Sequence, residues 1–363
     1  MRAPFLEAIE RGALLADGAM GTLLRERGWR APHEVASLEA PELVRQAHLD
    51  YIAAGADLIL TNTFEANRAV LARHGLAGHV HRANTTAARL ARDAREVSGQ
   101  AVLIGGSMGP IGRELAVGTW SLKDAFDAHR EQAEALVEGG VDVIVLETFP
   151  SIREAREAIR AVRAVTDTPV VAMLNFSADL ASPAGESPTA IALALAEAGA
   201  DVVGVNCGVG PQAALDIVEH MARDAAHPPL AIQPNGGLPT QHEGALVYPA
   251  SPDYFADFAL RARDLGALYI GGCCGTTPAH TRAMREALGR TGGNVPRAAQ
   301  RPPGEMVFVP RGGQEPLAAE DAPTEPRTLS LRDKLAAGTF VISVEIDPLE
   351  ASLPARRSRA PRC

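Results

Sequence analysis

The sequence predicts a parallel (β/α)8 barrel, the TIM-barrel fold, on the strength of three observations. Eight short apolar runs rich in β-branched residues each end in glycine or polar residues, and each is followed by an Ala/Glu/Arg-rich stretch of helical period. The runs are apolar throughout, which is typical of parallel strands buried on both faces. Eight such pairs within roughly 290 residues fit a fold that usually takes about 250.

The predicted strands follow one another at spacings that leave room for a helix between them. They occupy residues 14–20, 57–64, 101–110, 142–150, 169–177, 201–208, 230–237 and 268–275. The intervening segments include residues 38–56, 121–140 and 251–267, and several of the segments end in a glycine, as a helix C-cap does.

Polar or sulfur-bearing residues stand at the carboxyl end of every predicted strand. In chain order they are Asp17, Asn62, Thr63, Ser107, Met108, Glu147, Asn175, Asn206, Cys207, Asn235, Cys273 and Cys274. In a TIM barrel the carboxyl ends of the strands form the face that carries the chemistry. We therefore expect the functional site at this face.

Three of the four cysteines lie where an apolar strand runs into a glycine-rich turn. Cys207 lies at the end of the sixth predicted strand, and Cys273 and Cys274 lie at the end of the eighth, two positions away around a closed barrel. Three thiolates leave one position open on a tetrahedral zinc ion, which is typical of a catalytic site. Two alternatives remain: inert buried thiols, or a closed structural zinc site with His280 as fourth ligand.

The composition favours an enzyme of a reducing compartment. The net charge of −9 and the pI of about 5.6 argue against a nucleic-acid partner. No apolar run is long enough to span a bilayer, so no membrane partner is expected. So few cysteines do not make a disulfide scaffold, and we expect a cytoplasmic protein whose thiols stay reduced.

Seven short motifs together identify a family. They are DGAMGT (17–22), TNTF (61–64), GSMGP (106–110), ETF (147–149), NC (206–207), PNGG (234–237) and GGCCGT (271–276). In this order, over roughly residues 5–290, they resemble the zinc-dependent homocysteine S-methyltransferase family. The resemblance implies transfer of a methyl group to the homocysteine thiol, which gives methionine.

The resemblance also implies roles for single residues. Cys207, Cys273 and Cys274 would bind Zn²⁺, and the homocysteine sulfur would take the open position. Glu147 and Asp17 would hold the substrate ammonium as the catalytic pair, although Glu147 could be a rim carboxylate and Asp17 a turn residue. The expected partners of the substrate carboxylate are Gly18, Ala19, Met20, Gly21, Thr22 and Ser107. Asn235 is expected to line the methyl-donor side.

A second resemblance begins near Leu329, where residues 329–348 look like the opening helix and first strand of methylenetetrahydrofolate reductase. We therefore divide the chain into three parts. Residues 1–290 form the barrel, 291–327 a flexible linker, and 328–363 a truncated reductase-like start with a disordered tail. The chain has 33 arginines and two lysines, which indicates a GC-rich gene, and a shifted reading frame in such a gene would give an Arg/Pro/Ala tail. We therefore interpret the tail as the result of a frameshift or a local sequence error near residues 348–351. We expect no bound flavin and no reductase activity.

The methyl donor is left open by the sequence. S-methylmethionine, a methylfolate and methylcobalamin are all compatible, the last carried by a separate methyl-carrier protein, and a separate reductase is a further candidate partner. The alternative to an enzyme is a non-catalytic, zinc-stabilised barrel that acts as a partner or regulatory module.

Overall fold

The computed structural model describes residues 3–223, 227–242 and 245–290. The predicted linker (291–327) and the reductase-like start with its tail (328–363) lie outside the described residues. Among the residues described, no helix combines the length and apolar character needed to cross a membrane.

Eight parallel strands confirm the predicted TIM-like barrel. They are β1 (Leu14–Leu15), β2 (Leu58–Leu60), β3 (Leu103–Met108), β4 (Val143–Phe149), β5 (Val170–Leu174), β6 (Val202–Asn206), β7 (Leu230–Gln233) and β10 (Ala267–Ile270). Their order in the sheet is β1-β10-β7-β6-β5-β4-β3-β2. Each of the eight predicted runs therefore overlaps a strand, each strand is shorter than its run, and β10 begins one residue before its run.

The barrel closes between β1 and β2 by a short seam. A parallel bridge joins Ala16 to Leu58, and the Asp17 backbone N–H donates to the Leu58 carbonyl at 3.0 Å. One step further on, the Leu60 N–H donates to the Asp17 carboxylate oxygen Oδ2 at 2.9 Å. The Asp17 side chain therefore supplies the hydrogen bond that a longer β1 would have made.

Most of the helices surround the barrel and connect its strands, whereas the first helix precedes β1 and packs against the barrel interior. The helices are α1 (Pro4–Arg11), α2 (Met20–Glu26), α3 (Ala36–Glu39), α4 (Pro41–Ala53), α5 (Arg68–Arg73), α6 (Val80–Ser98), α7 (Arg113–Ala116), α8 (Leu122–Gly139), α9 (Ile152–Arg163), α10 (Pro188–Ala198), α11 (Pro211–Met221), α12 (Pro252–Asp264) and α13 (Pro278–Arg290). Two 3-10 helices span His33–Val35 and Ala77–His79.

The helix boundaries follow from capping residues in the sequence. Ser121 begins α8 with a capping box in which its hydroxyl accepts from Asp124 N–H and the Asp124 carboxylate accepts in return from the Ser121 backbone N–H. Three further serines, Ser151, Ser187 and Ser251, cap α9, α10 and α12 in the same position. Left-handed glycines end α6, α8 and α10.

Two cores fix the strands, one on each side of the sheet. Alternate residues such as Val143, Val145 and Met173 fill the barrel interior together with Phe5 and Ile9 of α1. The residues between them, such as Ile144 and Leu146, pack outward against the helices. Because side chains alternate between the two faces of a strand, this pattern fixes which strand-end residues point inward at the site.

A β-hairpin between β7 and α12 was not predicted. It consists of β8 (Thr240–His242) and β9 (Ala245–Val247), which pair antiparallel. The polar and glycine-containing sequence of this segment lacks the apolar alternation of a typical hairpin. Tyr248 follows the hairpin and lies beside Cys274.

Candidate metal and substrate site

Three cysteine sulfurs meet at the carboxyl end of the barrel. Cys207 directly follows β6, and Cys273 and Cys274 follow β10; the two strands flank β7. The three sulfurs all lie within 4.8 Å of one another, and those of Cys207 and Cys274 are 4.0 Å apart. The chain reversal after β6 holds Cys207 at a φ of +55°, a conformation that costs energy for a residue other than glycine.

The separation of the sulfurs suits a single metal ion. Zinc–sulfur bonds are about 2.3 Å long, which places two sulfurs of a tetrahedral site about 3.8 Å apart. The Cys207–Cys274 separation of 4.0 Å is close to this value. Three thiolates fit the donor set of a zinc site that keeps one position free.

The three thiols share their charge. Hydrogen bonds from Cys273 and Cys274 lower the pKa of Cys207 to about 3. Because Cys273 and Cys274 each donate to Cys207, their own protons are held more tightly. The pKa of Cys274 rises to about 12, and that of Cys273 rises well above its ordinary value. One thiolate stabilised by two thiols is what a cluster of buried cysteines adopts before a cation replaces the protons.

His280 is not available as a fourth ligand. Its Nδ1 lies 3.1 Å from the Thr277 backbone nitrogen and 3.0 Å from the Thr277 hydroxyl, and its Nε2 lies 3.0 Å from the Ala250 carbonyl oxygen. Both ring nitrogens are therefore engaged in fixing the start of α13. The histidine alternative for closing the metal site is not favoured by this arrangement.

Glu147 is buried on the inner face of β4, beside the cysteines. The Ser107 hydroxyl donates to its Oε1 at 2.5 Å, and the Asn206 amide nitrogen lies 3.3 Å from its Oε2. Burial raises the pKa of Glu147 to about 7, the Ser107 hydrogen bond opposes this shift, and the charge of Cys207 adds to it. A cationic ligand beside this carboxylate would stabilise its charged form.

Asp17 uses one oxygen for the barrel and leaves the other unpaired. Its Oδ2 accepts from Leu60 at the seam, whereas its Oδ1 is buried without a hydrogen-bond partner. Burial raises the pKa of Asp17 well above its ordinary value, and the nearby Glu147 charge adds to the shift. An orphaned buried carboxylate oxygen is a natural site for a donor supplied by a ligand.

Residues 18–22 form the turn into α2 and its first helical turn. Gly18 is required here, because a Cβ atom would lie 2.5 Å from the Thr276 hydroxyl. Ala19 N–H donates to that hydroxyl at 3.2 Å. Met20, Gly21 and Thr22 begin the helix, where backbone N–H groups have no partner within it. The expected anion-binding turn is thus a helix amino terminus, with the Ala19 N–H already engaged.

Ser107 and Asn235 bind different groups of the site: Ser107 binds Glu147, and Asn235 binds Cys207. The Ser107 hydroxyl is committed to Glu147, so it acts on that carboxylate. Asn235 lies beside Cys207, to which its side chain hydrogen-bonds, and its Oδ1 is buried without a partner. The structure therefore brings Asn235 to the thiol cluster.

A cavity of about 350 Å³ joins most of these groups, although Asp17 and Asn235 are not part of its lining. Its lining includes most of the residues expected from the sequence, namely Gly18, Ala19, Met20, Gly21, Thr22, Ser107, Glu147, Cys207, Cys273 and Cys274. It also includes residues without an assigned role in the sequence analysis: Arg25, His33, Leu60, Thr61, Asn62, Thr63, Phe64, Glu65, Thr148 and Gly272. The TNTF motif at 61–64 was a signal for four of these.

Tyr248 is a contact that the sequence analysis missed. Its side chain hydrogen-bonds to Cys274, and its ring lies against Gly275, where a Cβ atom would be 2.0 Å from the Tyr248 Cγ. Because an unpredicted hairpin delivers Tyr248 to the cluster, no local sequence signal marked it.

Comparison with known proteins agrees with this arrangement. The sequence pattern of the homocysteine S-methyltransferase family matches residues 14–288. Methionine synthase of Mycobacterium leprae is 30% identical over 310 residues, which are 80% of this chain and 26% of that protein. Methionine synthase of Mycobacterium tuberculosis is 30% identical over 300 residues, 78% of this chain and 25% of that protein. The chain thus spans about a quarter of the length of these relatives.

A solved structure covers nearly the same unit. The metallated form of the homocysteine methyltransferase MmuM from Escherichia coli is 28% identical, has a TM-score of 0.65, and matches 78% of this chain and 98% of that protein. An oxidised form of MmuM is 29% identical with the same TM-score. Over residues 14–288 the chain therefore belongs to the homocysteine S-methyltransferase family, a family of methyltransferase enzymes.

Proposed function

We propose that the chain is a zinc-dependent enzyme that transfers a methyl group to the thiol of homocysteine and releases methionine. The observation that carries this proposal is the meeting of three cysteine sulfurs with two buried carboxylates, Asp17 and Glu147, at the carboxyl end of the barrel. A site for a thiol ligand and a site for an ammonium group thus lie side by side.

Cys207, Cys273 and Cys274 would hold the zinc ion through their sulfurs. When bound, the metal would favour the thiolate form of the substrate at neutral pH. The sulfur would then attack the methyl carbon, and the donor would leave with the electron pair of the broken bond. The protein's own contribution is to fix the sulfur in line with that bond.

The amino-acid end of homocysteine would be held by the barrel. The ammonium would donate to Glu147, which would gain a cationic partner, and to the free Oδ1 of Asp17, which would gain a hydrogen-bond donor. Ser107 would keep the Glu147 carboxylate oriented. The backbone N–H groups of Met20, Gly21 and Thr22 would receive the substrate carboxylate.

The donor remains a choice between a small sulfonium compound, a methylfolate and a methylcobalamin carried by another protein. The residues at the cavity that the metal and amino-acid groups do not use, such as Phe64 and Glu65, would face it. Because the thiols must stay reduced, we place the enzyme in the cytoplasm.

Metal analysis and a donor panel test the proposal. We expect about one zinc per chain, and Cys207→Ala, Cys273→Ala and Cys274→Ala should each remove metal and methionine formation together. Methionine should form from homocysteine with one of the three donors. Full zinc content in Cys273→Ala would contradict the ligand assignment.

Cobalt substitution separates an enzyme from a closed structural site. Homocysteine should change the cobalt–thiolate absorption bands, because its sulfur enters the coordination sphere. Bands that do not respond to homocysteine would favour a non-catalytic, zinc-stabilised barrel.

A further inference from the structure

Asn206 lies between the proposed metal site and the proposed ammonium site. It is the last residue of β6 and is fully buried. Val202 of the same strand packs inside the barrel, whereas Val203 and Val205 pack on its outer side. The two-residue period of a strand therefore points Asn206 inward.

The Asn206 amide is shared among three groups. Its Oδ1 accepts from the Thr148 backbone N–H at 2.6 Å. Its Nδ2 lies 2.8 Å from the Thr148 hydroxyl, 3.3 Å from Glu147 Oε2 and 3.9 Å from the Cys273 sulfur. An amide nitrogen carries two hydrogens. Because three acceptors compete for these two hydrogens, we expect a change at Cys273 to alter the hydrogen bonding of Glu147.

Asn206 also holds a strained residue in place. Thr148 has a φ of +62°, which is rare for a β-branched side chain and persists only where its surroundings fix it. Asn206 binds both the backbone N–H and the hydroxyl of Thr148. Since Thr148 directly follows Glu147, these two bonds set the direction in which the Glu147 carboxylate points.

We infer that Asn206 is a positioning residue that ties the carboxylate of Glu147 to the sulfur of Cys273, so that the two ends of homocysteine are held at one fixed separation. This inference rests on the proposed function. It predicts that Asn206 matters for thiols that carry an ammonium group and not for thiols that lack one.

Affinity for two thiols tests the inference. Homocysteine and 4-mercaptobutanoate, which lacks the ammonium, are titrated into zinc-loaded wild type, Asn206→Ala, Glu147→Gln and the double variant. We expect Asn206→Ala to weaken homocysteine about tenfold and 4-mercaptobutanoate less than about twofold. In the Glu147→Gln background the loss for homocysteine should largely disappear, because the two residues act as one unit.

The metal side has its own readout. The cobalt–thiolate bands of the ligand-free protein should shift in Asn206→Ala, because Cys273 loses its amide neighbour. They should not shift in Ser107→Ala, which removes a Glu147 contact without touching a cysteine. Asn206→Leu keeps roughly the volume of the side chain without its amide hydrogens and without adding charge, and it replaces the alanine variant in every arm if that variant does not fold.

The outcomes separate the two levels of the proposal. Equal losses for both thiols, or the same loss in the Glu147→Gln background, would overturn the positioning role while leaving the proposed function intact. Unshifted cobalt bands in Asn206→Ala would overturn the link to Cys273. Wild-type protein that binds neither thiol would overturn the proposed function and this inference with it.

Discussion

At the scale of single residues, the site contains buried carboxylates and a strained cysteine that lower the stability of the ligand-free protein. Glu147 and the free oxygen of Asp17 are buried carboxylate groups that face each other's charge, and Cys207 has an unfavourable backbone conformation. Residues of this kind destabilise the free protein and are stabilised by binding. Two substitutions test this trade-off.

Glu147→Gln should weaken the binding of homocysteine and raise the free energy of unfolding. Without the negative charge, homocysteine affinity should fall by about 1.5–3 kcal/mol, the range for a hydrogen bond to a charged group, while zinc content stays the same. Isothermal titration calorimetry and metal analysis measure the two quantities. Unchanged affinity would make Glu147 a structural residue.

The same variant should change how stability depends on pH. The folded-state pKa of Glu147 is about 7, above its ordinary value of 4.5, so the folded state holds the proton more tightly and stability falls as pH rises from 4.5 to 7. Glu147→Gln should therefore stabilise the metal-free, ligand-free protein by about 1–3 kcal/mol above pH 7, and less near pH 5. Urea unfolding at both pH values measures this. An equal gain at both values would contradict the assigned pKa.

Asp17→Asn should separate the two roles of Asp17. An asparagine oxygen can still accept from Leu60 N–H, so the barrel seam should persist and the melting temperature should change by no more than a few degrees. Homocysteine affinity should fall by about 1.5–3 kcal/mol, because the free carboxylate oxygen loses its charge. Asp17→Ala is the control, since it also removes the seam bond and should unfold at a lower temperature.

At the scale of elements, the turn after β10 fits the ring of Tyr248 against the backbone beside two cysteines. Gly275 has a φ of +79°, and its missing side chain leaves room for the tyrosine delivered by the β8–β9 hairpin. The Gly236 N–H after β7 donates to the Cys274 carbonyl at 2.8 Å. The positions of Cys273 and Cys274 thus depend on contacts from two neighbouring loops.

Gly275→Ala should destabilise both the fold and the metal site. The new methyl group would require a left-handed alanine and a displaced Tyr248, at a cost of about 1–3 kcal/mol. We expect a lower unfolding midpoint and weaker zinc binding, measured by thermal melts and competition with a chromophoric chelator. Gly289→Ala is the matched control, because nothing lies within 4 Å of that position in α13 and helix propensity there favours alanine. Zinc affinity equal in both variants would contradict this account of the turn.

At the scale of the whole molecule, the core of the barrel is built without the proposed metal site. Large apolar clusters fill both sides of the sheet, and none of them includes Cys207, Cys273 or Cys274. This differs from small zinc domains, whose folding free energy comes largely from the metal.

Removal of the metal should therefore abolish activity and leave the fold intact. After treatment with a chelator, the far-ultraviolet circular dichroism should be unchanged, methionine formation should be lost, and added zinc should restore it. A loss of helical signal on chelation would show that the metal is structural. The Cys273→Ala variant should behave like the chelated protein and should not recover with zinc.

The sequence alone determined the repeating features of this protein. Eight apolar runs, the serine caps and the terminal glycines specify strands and helices locally, because each depends on hydrogen bonding and burial within a few residues. Once the fold is a parallel barrel, the carboxyl ends of all strands share one face, so the convergence of Cys207 with Cys273 and Cys274 could be predicted from 67 residues away. The assignment of residues 291–327 as a linker and of 328–363 as a reductase-like start stays a prediction.

Only the tertiary structure decided how the site residues share their hydrogen bonds. Four of these hydrogen bonds join segments that are distant in the sequence. Asp17 accepts from Leu60 at the barrel seam, and Ser107 donates to Glu147. His280 bonds to Ala250 at the start of α13, and Tyr248 bonds to Cys274. Asn206 shows the reason most clearly. Its residue type and position at a strand end could be read from the sequence. The hydrogen bonds that it makes are set by its distances of 2.8 Å to the Thr148 hydroxyl, 3.3 Å to Glu147 and 3.9 Å to Cys273, which only packing of the whole barrel determines.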